Sequence, residues 1–203
     1  MEYLSNEQNG SKKGTFKRTP LSRVWFLGRG FLQVPTDFTG GKVLYYHPRG
    51  YFFNQYGQRL AHNYSPSQYM RRPGGGNSKG GSCYPKMCNF GAKTCHLLAA
   101  ITLSPSPQYY YDNNGKPYRG AVHHLIPDVM NYSAENLLYW LSRKDHATAD
   151  KRQRMLRDVV PGGNLQFFSY SRLRELQDPR FKTDAEFLCE LEQIKKIFRN
   201  IHH

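Results

Sequence analysis

The apolar positions divide the chain into an aromatic first half patterned for strands and a second half whose apolar residues recur at helical spacing. Residues 1–19 are polar and basic and read as an arm. Residues 22–34, SRVWFLGRGFLQV, are apolar enough to enter a core. Gly28 and Gly30 interrupt any helical period there, so short strands are expected. In residues 43–60 the rings of Tyr45, Tyr46, Tyr51, Phe52, Phe53 and Tyr56 favour strands, with turns at 48–50 and 54–57. Residues 82–95 pattern as a hairpin turning near Asn89, Phe90 and Gly91. A short helix opens at Cys95 and ends at Ser104-Pro105, and residues 109–120 read as a polar linker.

The second half carries clearer boundaries. Periodicity alone makes residues 134–141 a helix. Ser142 with Asp145 three residues on has the form of a capping box, starting a helix that runs to about residue 159 and stops at Pro161-Gly162-Gly163. Residues 169–176 and 183–200 also pattern as helices, the second with Thr183 and Glu186 at its start. Phe187, Leu188, Leu191, Ile194 and Phe198 form one apolar stripe suited to core packing.

Charge changes this picture. The formal net charge is +14, and residues 41–120 alone carry +9, with ten Lys or Arg against one Asp. That concentration points to a polyanion, nucleic acid before membrane. Residues 70–81, MRRPGGGNSKGG, are glycine-rich and basic but lack the Lys-Ser/Thr ending of a nucleotide-binding loop. Arg71, Arg72 and Lys79 there, with Lys93, Lys116 and Arg119 further on, are the expected phosphate contacts. Arg172, Arg174, Arg180 and Lys182 offer further cations in the tail. Cys83, Cys88, Cys95 and His96 could hold zinc, although small apolar thiols on strands account for the same residues and the spacing lies off the usual ribbons. The first ten residues have no apolar signal core and no run approaches membrane-spanning length. A reducing cytoplasm is the expected compartment, with no membrane partner.

The chemistry-bearing stretch is residues 122–146, VHHLIPDVMNYSAENLLYWLSRKDH. It brings His123, His124, Asn136 and His146 into one short segment, and a neutral imidazole can take a proton or hold a metal at neutral pH. Asp150 lies one turn beyond His146 on the same helix face, as a further ligand or supporting partner, or simply as an exposed helix charge beside Lys151 and Arg154.

The order His123-His124, Asn131, Glu135-Asn136-Leu137, Trp140, His146 resembles the HNH family of nucleases, phage and intron homing-type endonucleases in particular. The resemblance covers about 25 residues directly and extends weakly upstream to about residue 43, where the aromatic segment is similar to a small element that precedes the catalytic motif in those enzymes. It includes His96-Leu97-Leu98-Ala99-Ala100, whose histidine is structural in the relatives.

The resemblance implies an α+β fold: an antiparallel β-rich N-terminal part, a ββα-metal unit and C-terminal helices. It makes residues 120–125 the first strand of that unit and residues 137–141 the second, against the helical period. The corresponding division is 1–40 arm and short strands, 41–119 DNA-binding part, 120–160 catalytic unit and 161–203 helical tail. It implies a metal-dependent endonuclease acting on double-stranded DNA as monomer or homodimer, leaving 5′-phosphate and 3′-hydroxyl ends. His124 would be the general base, and His123 and His146 would bind one divalent metal. Asn136 would orient the His124 ring or complete the metal shell. Relatives often carry Asp or Asn where His123 stands. Two imidazoles favour Mn2+, Ni2+ or Zn2+ more than an all-oxygen site would, with Mg2+ the expected physiological ion. Asp128 is expected to stabilise the connecting loop. Two other readings remain: a DNA-binding protein whose unit no longer cuts, and a nuclease of RNA or single strands, with tyrosines stacking on unpaired bases.

Overall fold

A computed structural model of the chain describes residues 19–61, 84–87, 89–91 and 93–201. The architecture is α+β, with antiparallel strands in small sheets first and helices dominating the C-terminal part. Helix α1 (Arg23–Leu27) leads into a sheet of β1 (Leu32–Gln33), β2 (Leu44–His47) and β3 (Tyr51–Asn54). The pair β4 (Lys86–Met87) and β5 (Lys93–Thr94) introduces α2 (Cys95–Leu103). A hairpin of β6 (Tyr109–Tyr111) and β7 (Pro117–Arg119) follows, then β8 (Ala121–His124) paired with β9 (Leu137–Leu141). Helices α3 (Arg143–Val159), α4 (Tyr170–Gln177) and α5 (Asp184–Ile201) complete the chain.

The β8–β9 pair is the partition between two cores. Successive strand residues point to opposite faces. Leu137 therefore enters the core around α2, and Leu138 enters the core built by α3, α4 and α5. A bulge then breaks the alternation. His123 pairs with Leu138 but Ala121 with Leu141, so Tyr139 and Trp140 together oppose Val122. Trp140 takes a φ of 56°, a conformation that bulky residues rarely adopt. It stays on the α2 side, and Leu141 returns to the helical core. The indole Nε1 donates to Ser104 Oγ at 2.9 Å, which helps to hold the strained residue. Gly120 makes the bulge sterically possible, because a Cβ there would lie 2.6 Å from Trp140 Cα.

Helix α3 begins where its cap chemistry dictates. Ser142 Oγ accepts from the Asp145 N–H at 3.0 Å and donates to Asp145 Oδ2 at 2.7 Å. The helix buries Ala149, Arg152, Gln153 and Leu156 against the tail. Thr183 and Glu186 cap α5 reciprocally, with the Thr183 N–H donating to Glu186 Oε2 at 2.7 Å. Phe187, Leu191 and Ile194 are buried with the helical core, whereas Leu188 of the expected stripe is exposed. Arg152 is 2% exposed and reaches Asp184 Oδ1 at 2.6 Å and the Lys182 carbonyl at 2.9 Å, with its guanidinium over the Phe187 ring. A buried charge needs such pairing.

Two expectations for the first half are corrected. Residues 23–27 are a helix, not a strand, because Ser22 Oγ accepts the Trp25 N–H at 3.2 Å and supplies the cap; Gly28 limits the helix to one turn and a half without preventing it. Residues 109–119 are a hairpin, not a linker. Asp112 Oδ1 accepts the N–H groups of Asn114 and Lys116, and Gly115 takes the positive φ that the turn requires. The turn near Asn89–Gly91, the start of α2 at Cys95 and the β9 span 137–141 agree with expectation. Residues 134–136 form only a single 3-10 turn before β9, so the helical period across 134–141 does not hold.

Candidate metal centre and its buried histidine

Strand β8 aims its two histidines in different directions. His123 turns towards the helical layer and His124 towards α2, as adjacent strand residues must. Helix α3 supplies the other wall. His146, Asp150 and Gln153 stand four and three residues apart and so share one face. Together with Tyr84, Pro127 and Val129 these residues line a cavity of about 100 Å³.

Asp150 bridges the two outer histidines. Its Oδ1 lies 3.0 Å from His123 Nδ1 and its Oδ2 lies 3.3 Å from His146 Nδ1. All three residues present ligand atoms within 4.8 Å of one another. Ligands about 2.1 Å from a shared ion stand about 3.0–3.4 Å apart, so these three residues would close in slightly to hold a single divalent cation. Burial alone pushes the Asp150 carboxyl up, but the hydrogen bonds and charge of His123 and His146 overcome it and hold it far below the usual carboxylate range. The hydrogen bond to Asp150 raises His146; burial opposes this, and the Asp150 charge and a backbone hydrogen bond at Val122 add to it. The site is thus ordered around an ionised carboxylate that attracts positive charge. Asp150 is partly exposed, as one sequence reading has it, but it is not a lone helix charge: its carboxylate joins the two histidines of the cluster.

His124 differs from its neighbour. It is 5% exposed, and among the described residues nothing hydrogen-bonds its Nε2. Its ring stacks on Tyr84 at a centroid distance of 5.4 Å and meets the His96 ring edge-on, also at 5.4 Å. Burial lowers its pKa to about 4, with the charge of His123 adding to the effect, that of Asp128 opposing it and that of His146 adding again. The imidazole is therefore neutral at neutral pH. His96 is lowered further, to about 3, by burial and then by His124, Arg119 and His146.

Asn136 does not meet the His124 ring. Its Oδ1 accepts the Ile126 N–H at 2.8 Å, and its Nδ2 donates to the carbonyls of Asn131 at 2.8 Å and Ile126 at 3.2 Å. The buried carboxamide thus ties down the loop that follows the two histidines. Asn131 is part of the same loop: its Oδ1 accepts from Ser133 Oγ at 2.8 Å and its Nδ2 donates to Tyr170 Oη at 2.9 Å. Asp128 stabilises the loop as expected, accepting the Met130 N–H at 2.9 Å.

Of the expected phosphate contacts, Lys93, Lys116 and Arg119 are exposed, and Arg119 lies close enough to the site to influence His96. Arg71, Arg72 and Lys79 lie outside the described residues, as do Cys83 and Cys88 of the zinc reading; Cys95 is fully buried in the α2 core. The cations of the tail are engaged within the fold. Arg172 pairs with Glu175 and Glu190, Arg180 with Asp178 and Lys182 with Glu190, and Arg174 donates to the carbonyls of Glu135 and Leu137.

Sequence reasoning missed Gln153, Gln177 and Tyr84. Gln153 could have been found from its place seven residues after His146 on the helix face. Gln177, whose Oε1 lies 3.0 Å from His123 Nε2, has no local signal. Among the described residues no helix is long and apolar enough to cross a membrane. No family model matches the chain, and neither the curated proteins nor the solved structures yield a match.

Proposed function

We propose that this chain is a metal-dependent endonuclease that hydrolyses phosphodiester bonds of double-stranded DNA in the manner of HNH enzymes. The observation that carries this reading is the meeting of His123 and His146 on Asp150 in the same small cavity as a neutral, buried His124. Phosphodiester hydrolysis requires a base for the attacking water and positive charge near the scissile phosphate.

In this reading His124 Nε2 accepts the proton of the attacking water. Burial lowers its pKa and keeps the ring in the basic form, and among the described residues nothing hydrogen-bonds its Nε2. His123, His146 and Asp150 would hold the cation, which when bound polarises the phosphate and steadies the leaving oxygen. Two nitrogens and one carboxylate favour Mn2+ or Zn2+ over Mg2+. Asn136 acts through the loop it clamps, keeping Pro127 and Val129 at the cavity wall. The β6–β7 hairpin, with Lys116 and Arg119, runs directly into β8 and would bring the phosphate backbone to the cavity.

The exposed rings of Tyr109 (61%) and Tyr111 (72%) on that hairpin favour a second substrate reading, a strand with unpaired bases that stack there. The test is DNA cleavage with Mn2+ and with EDTA, duplex and single-stranded substrates side by side. Metal-requiring cleavage of duplex supports the proposal. Cleavage of single strands alone replaces it with the second reading, and binding with no cleavage of either leaves a DNA-binding protein.

A further inference from the structure

The end of α4 reaches the metal cluster through a buried carboxamide. Gln177 is fully buried, and its side chain lies between β8 and α3. Its Nε2 is 2.9 Å from the Leu125 carbonyl. Its Oε1 is 3.0 Å from His123 Nε2 and 3.4 Å from Gln153 Nε2. Gln153 in turn donates from the same nitrogen to the carbonyls of His124, at 2.5 Å, and Leu125, at 2.9 Å.

These contacts allow one orientation of the Gln177 amide. Reversed, its NH2 group would face the Gln153 NH2 group, and its oxygen would face the Leu125 carbonyl. Both contacts would be repulsive, and a buried polar group left unsatisfied is destabilising. Oriented as observed, Gln177 Oε1 accepts the Nε2–H of His123. His123 Nδ1, 3.0 Å from Asp150, faces the cluster, and it is this nitrogen that must give up its hydrogen for the ring to ligate a cation.

We propose that Gln177, braced by Gln153, is a positioning residue that fixes the tautomer and ring orientation of His123 so that Nδ1 is the metal-ligating atom. The proposal rests on the metal-centre reading above and deepens it, since it makes the C-terminal helices part of the centre. A metal-ligating histidine commonly donates its other N–H to such an outer partner, and losing that partner weakens metal affinity about 10–100-fold.

The test uses the full chain and three proteins: wild type, Gln177→Leu and Gln177→Glu. Leucine fills the space but accepts no hydrogen bond; glutamate keeps the acceptor towards His123 while losing, like leucine, the donor to the Leu125 carbonyl. Mn2+ affinity is measured by calorimetry, and the ring nitrogens of His123 by NMR in the Zn2+-loaded protein. The expected result is the Nε2–H tautomer in wild type and Gln177→Glu, its loss in Gln177→Leu, and Mn2+ binding weaker by about 10–100-fold in Gln177→Leu than in Gln177→Glu. A folded Gln177→Leu protein with wild-type tautomer and affinity overturns the inference alone. Wild-type protein that binds neither Mn2+ nor Zn2+ overturns the metal centre and this inference with it. Should Gln177→Leu fail to fold, a wild-type His123 ring protonated on Nδ1 is by itself enough to overturn it.

Discussion

His123 on β8 and Gln177 at the end of α4 are 54 residues apart and meet at 3.0 Å. Beside them runs α3, whose Gln153 bonds to the same amide and to the carbonyls of His124 and Leu125. The strand, the site helix and the C-terminal helices are thus joined at the cluster itself.

Metal should stabilise the fold. An ion bound only by the native state at 100 times its Kd adds about 2.7 kcal/mol. Thermal unfolding with and without Mn2+ should show that increase in wild type. In Asp150→Ala it should vanish, because the carboxylate shared by both histidines is gone. Equal stabilisation of Asp150→Ala would place the ion elsewhere.

Acid should destabilise the metal-free protein in a definite window. Burial lowers His124 to about 4 and His96 to about 3. Below about pH 6.5 the unfolded chain therefore binds more protons than the native one, and stability falls with pH. For His124, which is 5% exposed, the loss is on the order of 3 kcal/mol once pH reaches its native value. His146 has the opposite sign: its pKa is raised, so its contribution is present below about pH 6.5 and is lost as pH rises through the native value. Urea unfolding in EDTA across pH 7 to 4 should be flatter for His124→Phe than for wild type. Identical slopes would mean that His124 is not held neutral by burial.

The bulge should be intolerant of a methyl group at residue 120. A Cβ there meets the Trp140 backbone at 2.6–2.9 Å, and neither strand can yield without moving His123. Gly120→Ala is expected to cost about 1–3 kcal/mol. Mn2+ affinity should weaken as well; unchanged stability and affinity in this variant would show that the bulge does not set the site.

Salt should report the hairpin. Each phosphate contact contributes a slope of about −0.9 in log K against log salt. Replacing Lys116 and Arg119 by alanine should lower the magnitude of the slope by roughly 2 in duplex binding. Both side chains are exposed, so the fold should be unaffected. An unchanged slope moves the DNA surface away from the hairpin.

The parts of this molecule that sequence made legible are those set by neighbours along the chain. Ser142 with Asp145 and Thr183 with Glu186 marked the starts of α3 and α5 because a capping box is a local exchange of hydrogen bonds. Helix α1 was missed because a single cap at Ser22 outweighed two glycines, and the β6–β7 hairpin because its tyrosines sit in a polar stretch. The histidine cluster was visible, and Asp150 was visible as the next turn of its helix. The assignment of Asn136 to the His124 ring failed because its hydrogen bonds go to the backbone of residues 126 and 131. Gln177 was beyond reach, since only the return of α4 onto β8 gives it a role.

If His124 is the base of a metal-dependent nuclease, its loss should suppress cutting but not binding. Conversion of supercoiled plasmid by wild type and His124→Ala is measured side by side in Mn2+, with Mn2+ and DNA binding measured on the same samples. Wild type should give metal-requiring relaxed or linear product, and His124→Ala should be about 10²–10⁴-fold slower with both bindings retained. Cleavage by His124→Ala at the wild-type rate, or wild type that binds metal and DNA without cutting, would contradict that role.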